Sequence, residues 1–390
     1  MGPGLIALAL AYVLSQFFRA FLAVLADPLA NALGATPEHL AGASGIWFLS
    51  FALMQIPVGE ALDRVGPRRT ASVLLALAGG GGAAVFALAT APWHISAAML
   101  LIGIGCSPVL MASYFIFARQ YPPAQFATLA AVMLGTGSVG NLLSAYPMTY
   151  ASDLLGWRGA LWALSAACVI VGALIWAYVN DPPRARSTQA GSVLDLLKMP
   201  VLWPIFALML VNYAPAGAIR GLWIGPYLSE VYSQTAGQVG QATLIMGGAM
   251  IAGTFAVGPL DKLLGTRKWV IFAGCLICAL STLALALSVG NSAFVSIALM
   301  ALIGFTGGTF PVILAHARSF FPPHLTGRGV TLVNLFGIGG VGIMQFASGR
   351  LHTAASGLGT EVPYALIFAF FGGALLLGCL VYLFSQDRVD

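Results

Sequence analysis

The chain has 390 residues, of which 59% are hydrophobic and 7% charged, against roughly a quarter charged in an ordinary soluble domain, so water cannot be its main solvent. Its formal net charge of +5 is a mild basic balance that reports membrane topology, and no nucleic-acid partner is expected. No Gly-x-x-x-x-Gly-Lys-Ser/Thr loop occurs, which argues against ATP hydrolysis; neither enzymatic activity nor a cofactor is expected.

A helix that crosses a bilayer needs about 20 mostly apolar residues. Twelve runs qualify, at approximately 5–26, 40–61, 70–90, 95–118, 126–149, 158–179, 201–228, 238–258, 269–289, 293–316, 329–349 and 363–384. They are continuous and lack the alternation of barrel strands, so the expectation is an all-α membrane protein with 12 transmembrane helices. The first run carries Gln16 and Arg19, with Asp27 at its outer end. The second carries Gln55 and leads into a loop with Asp63, Arg64, Arg68 and Arg69; Tyr114 falls on the fourth and Asn141 on the fifth. The seventh holds Asn212, Tyr213, Arg220, Trp223 and Tyr227 together with Pro215 and Pro226, a mixture that suits a bent helix gripping a flat solute. Met246 and Met250 share one face of the eighth run, which leads to Asp261 and Lys262; His316 ends the tenth. All five cysteines lie inside these runs, which argues against a disulfide framework.

The chain reads as a duplication. The loop Gly59 to Arg69 and the loop Gly258 to Lys268 have nearly the same pattern, and Leu101 and Leu302, Arg119 and Arg318, and Gly135 and Gly337 repeat at similar offsets. Six runs fall in each half, giving a bundle over 1–179, a linker over 180–200 and a second bundle over 201–390. Thirteen of the 17 Lys and Arg lie in alternate loops and the C-terminal tail, so those loops and both termini are expected in the cytoplasm. The others are Arg19, Arg158, Arg220 and Arg350.

The loop Gly59 to Arg69, its degenerate copy and the six-plus-six layout resemble the major facilitator superfamily over essentially the whole chain. The resemblance implies two pseudo-symmetric six-helix bundles that work by alternating access. The first, second, fourth, fifth, seventh, eighth, tenth and eleventh helices would line a cavity. It also implies that Asp63, Arg64, Arg68 and Arg69, with Asp261 and Lys262, gate the cytoplasmic side by charge contacts; the same basic residues also serve topology. Secondary transport across the bacterial-type inner membrane follows, as symport or antiport, by a protein expected to act as a monomer.

Arginine in hydrocarbon costs a few kcal/mol, so it faces a cavity, a partner or the headgroups. Arg19 lies 14 residues beyond Leu5, about 21 Å along a helix at 1.5 Å per residue. Arg19 and Arg220 occupy matching helices of the two halves, a placing of charge similar to that of the glycerol-phosphate antiporters. They are candidates to hold an anionic solute by forked hydrogen bonds. Gln16, Tyr114, Asn141, Asn212, Tyr213, Trp223 and Tyr227 are candidates to line its site, although neutral polar groups also serve as interhelical glue.

A narrower stretch around Trp47, Cys106 and Arg220 resembles the CcoA-like branch, which contains copper importers and RfnT-type riboflavin carriers. Uptake of a riboflavin-like or anionic organic solute is therefore expected. A Cu(I) importer using the thioethers of Met246 and Met250 is the alternative, and a second copper motif is missing, since Cys275 and Cys278 stand where it should lie. A membrane solute sensor without transport is the third reading. No Asp or Glu falls mid-membrane, so Asp27 and His316 are the coupling candidates.

Overall fold

In a computed structural model, residues 2–121, 123–182, 193–322 and 325–388 are described, and among them the chain is helical with no strand. The long helices are α2 (Pro37–Arg64), α3 (Pro67–Ala87), α4 (Pro92–Gln120), α6 (Tyr146–Tyr178), α7 (Pro200–Tyr232), α8 (Ala236–Val257), α9 (Lys268–Leu287), α10 (Ala293–Arg318), α11 (Arg328–Leu358) and α12 (Glu361–Tyr382). These ten are long and apolar enough to cross a membrane. The first predicted run is instead a bent pair, Pro3–Phe17 and Leu22–Leu33, meeting at 54°; together they are α1. The fifth run is α5, Pro123–Leu143, of which Val132–Leu143 is a shorter apolar helix. The middle of the expected linker, 183–192, lies outside the described residues.

The chain forms two compact units, Met1–Arg186 and Ser187–Asp390. In the first, α1 packs on α5 and α6, α2 on α4, and α3 on α4 and α6. In the second, α7 packs on α11 and α12, α8 on α10, and α9 on α10 and α12. The two patterns are the same, so the duplication extends from loops to helix packing.

Local chemistry repeats with it. Both second helices open with a threonine cap: Thr36 Oγ1 accepts from His39 N at 3.2 Å, and Thr235 Oγ1 from Gln238 N at 3.4 Å. In each, the third helical residue answers the cap, as a capping box requires. The preceding helix ends in a left-handed residue in both halves, Gly34 at φ 66° and Ser233 at φ 54°.

Close approach is also duplicated. A methyl on Gly140 of α5 would run into the Val13 carbonyl of α1, and one on Gly340 of α11 into the Leu210 carbonyl of α7. With no hydrophobic force between helices in lipid, such backbone contact supplies much of the packing energy. Gly340→Ala is therefore expected to destabilise the protein by about 1–3 kcal/mol. Gly373→Ala, where open space surrounds the position, should leave the detergent melting temperature unchanged.

Candidate functional site

The best-defined polar site of the first unit lies where α1 breaks. No glycine or proline marks the bend; Phe17, Phe18 and Phe21 pack against one another there, and Phe21 also packs on Phe86 of α3. Arg19, half-buried in this turn, places its guanidinium carbon 5.6 Å from the ring centre of Trp47 and 5.1 Å from that of Phe51. Those two α2 rings stack at 5.2 Å and 20°, so the cation covers an aromatic platform, an attraction of about 0.5–2 kcal/mol. Three buried polar atoms here have no hydrogen-bond partner: Arg19 Nε, Trp47 Nε1 and Gln55 Oε1. Gln55 is nevertheless anchored, since its Nε2 donates to the carbonyls of Phe51 and Ser107 at 3.1 and 3.3 Å.

Of the residues expected beside Arg19, Gln16 donates to Tyr12 Oη on its own helix at 2.9 Å, while Tyr114 and Asn141 are half-buried on α4 and α5. Phe51 was not singled out by the sequence reading. Its signal was the spacing Trp47, Phe51, Gln55, which places three side chains on one helix face.

In the second unit the expected residues are buried: Asn212, Arg220, Trp223 and Tyr227 are all at most 1% exposed. Arg220 lies in a π-helical stretch, Ile219–Trp223, a wide turn common at functional positions. Trp223 Nε1 donates to Gln345 Oε1 at 3.0 Å and Ser348 Oγ at 2.9 Å, and its ring stacks on His352. Tyr227 Oη is 2.9 Å from Ser296 Oγ. Asn212 Nδ2 donates to Thr309 Oγ1 at 3.0 Å and lies 3.1 Å from Cys275 Sγ. Tyr213 packs against Phe310. Asn212, Trp223 and Tyr227 thus tie α7 to its own bundle.

The charged loops use two devices. In the first unit Asp63 pairs with Arg119 at 3.2 Å and Arg64 with Glu60 at 2.8 Å, while Arg69 is exposed. In the second, Asp261 and Arg267 form a buried pair at 2.9 Å, with side chains 8% and 5% exposed. The side chain of Lys262 lies outside the described residues. The other device was not anticipated: a carboxylate just beyond the last helix of each half receives the first backbone N–H groups of the third. Asp181 Oδ1 accepts from Arg68 N at 2.8 Å, and Asp387 Oδ1 from Arg267 N and Lys268 N at 3.1 and 2.9 Å. A carboxylate is favoured at a helix N-terminus, where N–H groups lack partners.

Partial burial works against ionisation of Asp387, but hydrogen bonds from Thr266 Oγ1 and from the N–H groups of Lys268 and Arg267 outweigh it and hold the carboxyl below its usual range. Because the folded value is the lower one, the stabilisation is present above the ordinary carboxylate range, near pH 4, and lost as pH falls through the folded value. Asp387→Asn is expected to cost no more than about 1 kcal/mol at neutral pH, since the group is exposed. The difference from wild type should shrink as pH falls below the ordinary carboxylate range when unfolding is followed across pH.

Of the coupling candidates, Asp27 is exposed on Leu22–Leu33. His316 is fully buried between Tyr382 Oη, 2.8 Å from Nδ1, and the Gln386 carbonyl, 2.9 Å from Nε2, so both ring nitrogens are engaged. Met246 is buried and Met250 half-buried, and a methyl on Gly304 of α10 would touch both side chains. Both thioethers therefore fill the α8–α10 contact, and no group of three or more metal-binding His, Cys, Asp or Glu occurs among the described residues.

The major facilitator superfamily model matches residues 8–222 and again 217–390, so the family covers both halves. The chain belongs to the major facilitator superfamily. It is a multi-pass membrane protein and a secondary solute transporter, not an enzyme. Its relatives include the D-galactonate transporter of Escherichia coli O6:H1, 23% identical over 97% of this chain and 94% of the relative. Another is the transcription regulatory protein OpdE of Pseudomonas aeruginosa, 28% identical over 78% of this chain and 75% of its own length. Among solved structures, the D-xylose-proton symporter superposes with a TM-score of 0.78 at 16% identity, covering 98% of this chain and 97% of that one. A superfamily fold in both halves accounts for the repeated helix packing, caps and charged loops.

Proposed function

We propose that this transporter carries a small organic anion into the cell by alternating access, and that Arg19 with the Trp47–Phe51 platform forms a solute site in the first unit. The observation that supports this is the set of unmatched donors. Arg19 Nε and Trp47 Nε1 are buried without an acceptor, and leaving such a donor unmet costs about 1–3 kcal/mol. A carboxylate or phosphate oxygen supplies what both lack. Gln16, Tyr114 and Asn141 are proposed as further solute contacts in that unit, and Arg220 as a solute contact of the second unit. The cytoplasmic placement of the termini and charged loops, the inner-membrane location and monomeric action belong to the same proposal.

Two relatives bear on the function. The D-galactonate transporter's name specifies a sugar acid, an organic anion, which favours the anionic reading. A flavin-like solute is the runner-up, favoured by two parallel aromatic rings at 5.2 Å. Copper import is disfavoured by the packing of Met246 and Met250 on Gly304. The sensor reading draws support from OpdE, named as a regulatory protein.

The test is uptake into proteoliposomes loaded with a counter-solute or an imposed proton gradient, preceded by thermal-shift screening of the purified protein. Carboxylates, phosphates, riboflavin and Cu(I) are compared in parallel. Stabilisation and flux with a carboxylate or phosphate are expected. Flux of Cu(I) alone would overturn the proposal, and binding without flux would favour the sensor.

A further inference from the structure

The two copies of the charged loop differ in what they leave unsatisfied. In the second unit both cations at the start of α9 are held by protein: Arg267 Nε donates to Asp261 Oδ2 at 2.9 Å, and Lys268 Nζ to the Leu383 and Ser385 carbonyls at 2.6 and 2.7 Å. Their counterparts at the start of α3 are Arg68 and Arg69. Among the described residues neither guanidinium forms an ion pair, because Asp63 is paired with Arg119, Glu60 with Arg64, and Asp181 Oδ1 accepts from the Arg68 backbone N–H. Arg68 Nε is buried without a hydrogen-bond partner. A groove of about 430 Å³ opens beside them, walled by Ala61 and Val65 at the end of α2, Val73 and Leu74 of α3 and Trp176 of α6, with Arg69 as its one charged lining residue. Trp176 joins the two arginines to it, since the Arg68 guanidinium carbon stands 5.0 Å from that ring's centre.

We propose that this groove binds an anionic phospholipid, its phosphate received by Arg69 and Arg68 and one acyl chain laid along α3. The four-residue spacing of Arg69, Val73 and Leu77 puts a cation and two apolar side chains on one helix face. Val73 is 43% and Leu77 73% exposed, and in a chain that spans a membrane such a face meets lipid. From Arg69 to Leu77 the stripe runs about 12 Å, most of the roughly 15 Å hydrocarbon depth of one leaflet. Its order, charge first and hydrocarbon below, is that of a phospholipid. Trp176, 45% exposed and two residues from the end of α6, sits where indole rings gather at the headgroup level. Arginine forks suit phosphate oxygens. A zwitterionic headgroup brings its own ammonium to two cations, so the net negative lipid is preferred, and the cytoplasmic leaflet, where these loops are proposed to lie, is the one that carries such lipids. The lipid site stands whatever solute is carried.

The experiment titrates dioleoyl phosphatidylglycerol or dioleoyl phosphatidylcholine, which share their acyl chains, into delipidated protein in detergent and counts retained lipid by native mass spectrometry. Wild type, Arg69→Gln, Arg68→Gln with Arg69→Gln, Arg64→Gln and Val73→Trp are compared, each first shown to be monodisperse. Wild type is expected to retain phosphatidylglycerol in preference to phosphatidylcholine. Arg69→Gln should weaken that binding by about 10-fold, the order expected on losing one charge-assisted contact, and the double change should abolish the preference. Arg64→Gln, whose arginine is already paired with Glu60, should bind as wild type does, whereas Val73→Trp, which keeps both cations and fills the groove, should not retain the lipid. Glycerol 3-phosphate, a phosphate without acyl chains, should fail to compete at equal concentration. Equal retention of the two lipids by wild type overturns the proposal, as does undiminished binding to Val73→Trp or to the double variant. Competition by glycerol 3-phosphate would assign the arginines to a soluble phosphate and overturn the lipid assignment.

Discussion

Replacing Arg19 with alanine is expected to reduce uptake of the organic anion by about 100-fold in kcat/KM while the protein still folds. The magnitude comes from the charge-assisted hydrogen bond between guanidinium and carboxylate, worth about 1.5–3 kcal/mol, at 1.4 kcal/mol per tenfold. Folding survives because the side chain's described contacts are the cation–π ones with Trp47 and Phe51, whose rings still stack on each other without it. Arg19→Lys keeps the charge but loses the planar fork and much of the stacking, so an intermediate loss of about 10-fold is expected. Initial uptake rates in proteoliposomes, read beside melting temperatures in detergent, separate the effects. Wild-type uptake by Arg19→Ala would remove the residue from the site.

The largest effect on stability is expected at the other charged cluster. Arg267→Ala removes the guanidinium 2.9 Å from the buried Asp261 carboxylate, and breaking a buried pair in this way costs about 3–5 kcal/mol. The same change removes the guanidinium bond to the Ala315 carbonyl, 3.4 Å from Nη1, which ties the loop to α10. Neutralising both partners together, as Asp261→Asn with Arg267→Gln, should recover much of the loss, because the buried charges are then removed in step. A double-mutant cycle on unfolding isolates that coupling. If the double variant melts as low as Arg267→Ala, the pair is not the source of the loss. In the first unit Asp63, the counterpart of Asp261, pairs instead with Arg119 of α4, and the pair is partly to largely exposed, so its disruption should change stability by less than about 1 kcal/mol. Homologous loops in one chain are therefore expected to contribute unequally to stability.

Much of the architecture could be read from residue order alone. Apolar run length located the spans, and the two charged loops revealed the duplication. Local chemistry repeats wherever its residues repeat, as with Thr36 and Thr235 at the helix starts. The bend in α1 escaped notice because no helix-breaking residue causes it; aromatic packing among Phe17, Phe18, Phe21 and Phe86 accompanies it instead. Asp181 and Asp387 read as ordinary loop charges, since the N–H groups they receive lie 113 and about 120 residues away in the chain. Asn212, Trp223 and Tyr227 were rightly marked as unusual in an apolar helix, yet residue type could not tell solute contacts from links to neighbouring helices. The hydrogen bonds they make show that all three link α7 to its neighbours.

Composition and periodicity by themselves determined that this protein lives in a bilayer, that it is helical, and that it is built twice from one plan. These follow from transfer energies and helix geometry, which depend on neighbours in sequence. Which polar groups are satisfied was decided by tertiary structure alone. Whether Gln55 Oε1 or Trp47 Nε1 finds a partner depends on side chains brought in from other helices, and a buried atom's need for a hydrogen bond becomes visible when that surrounding is complete.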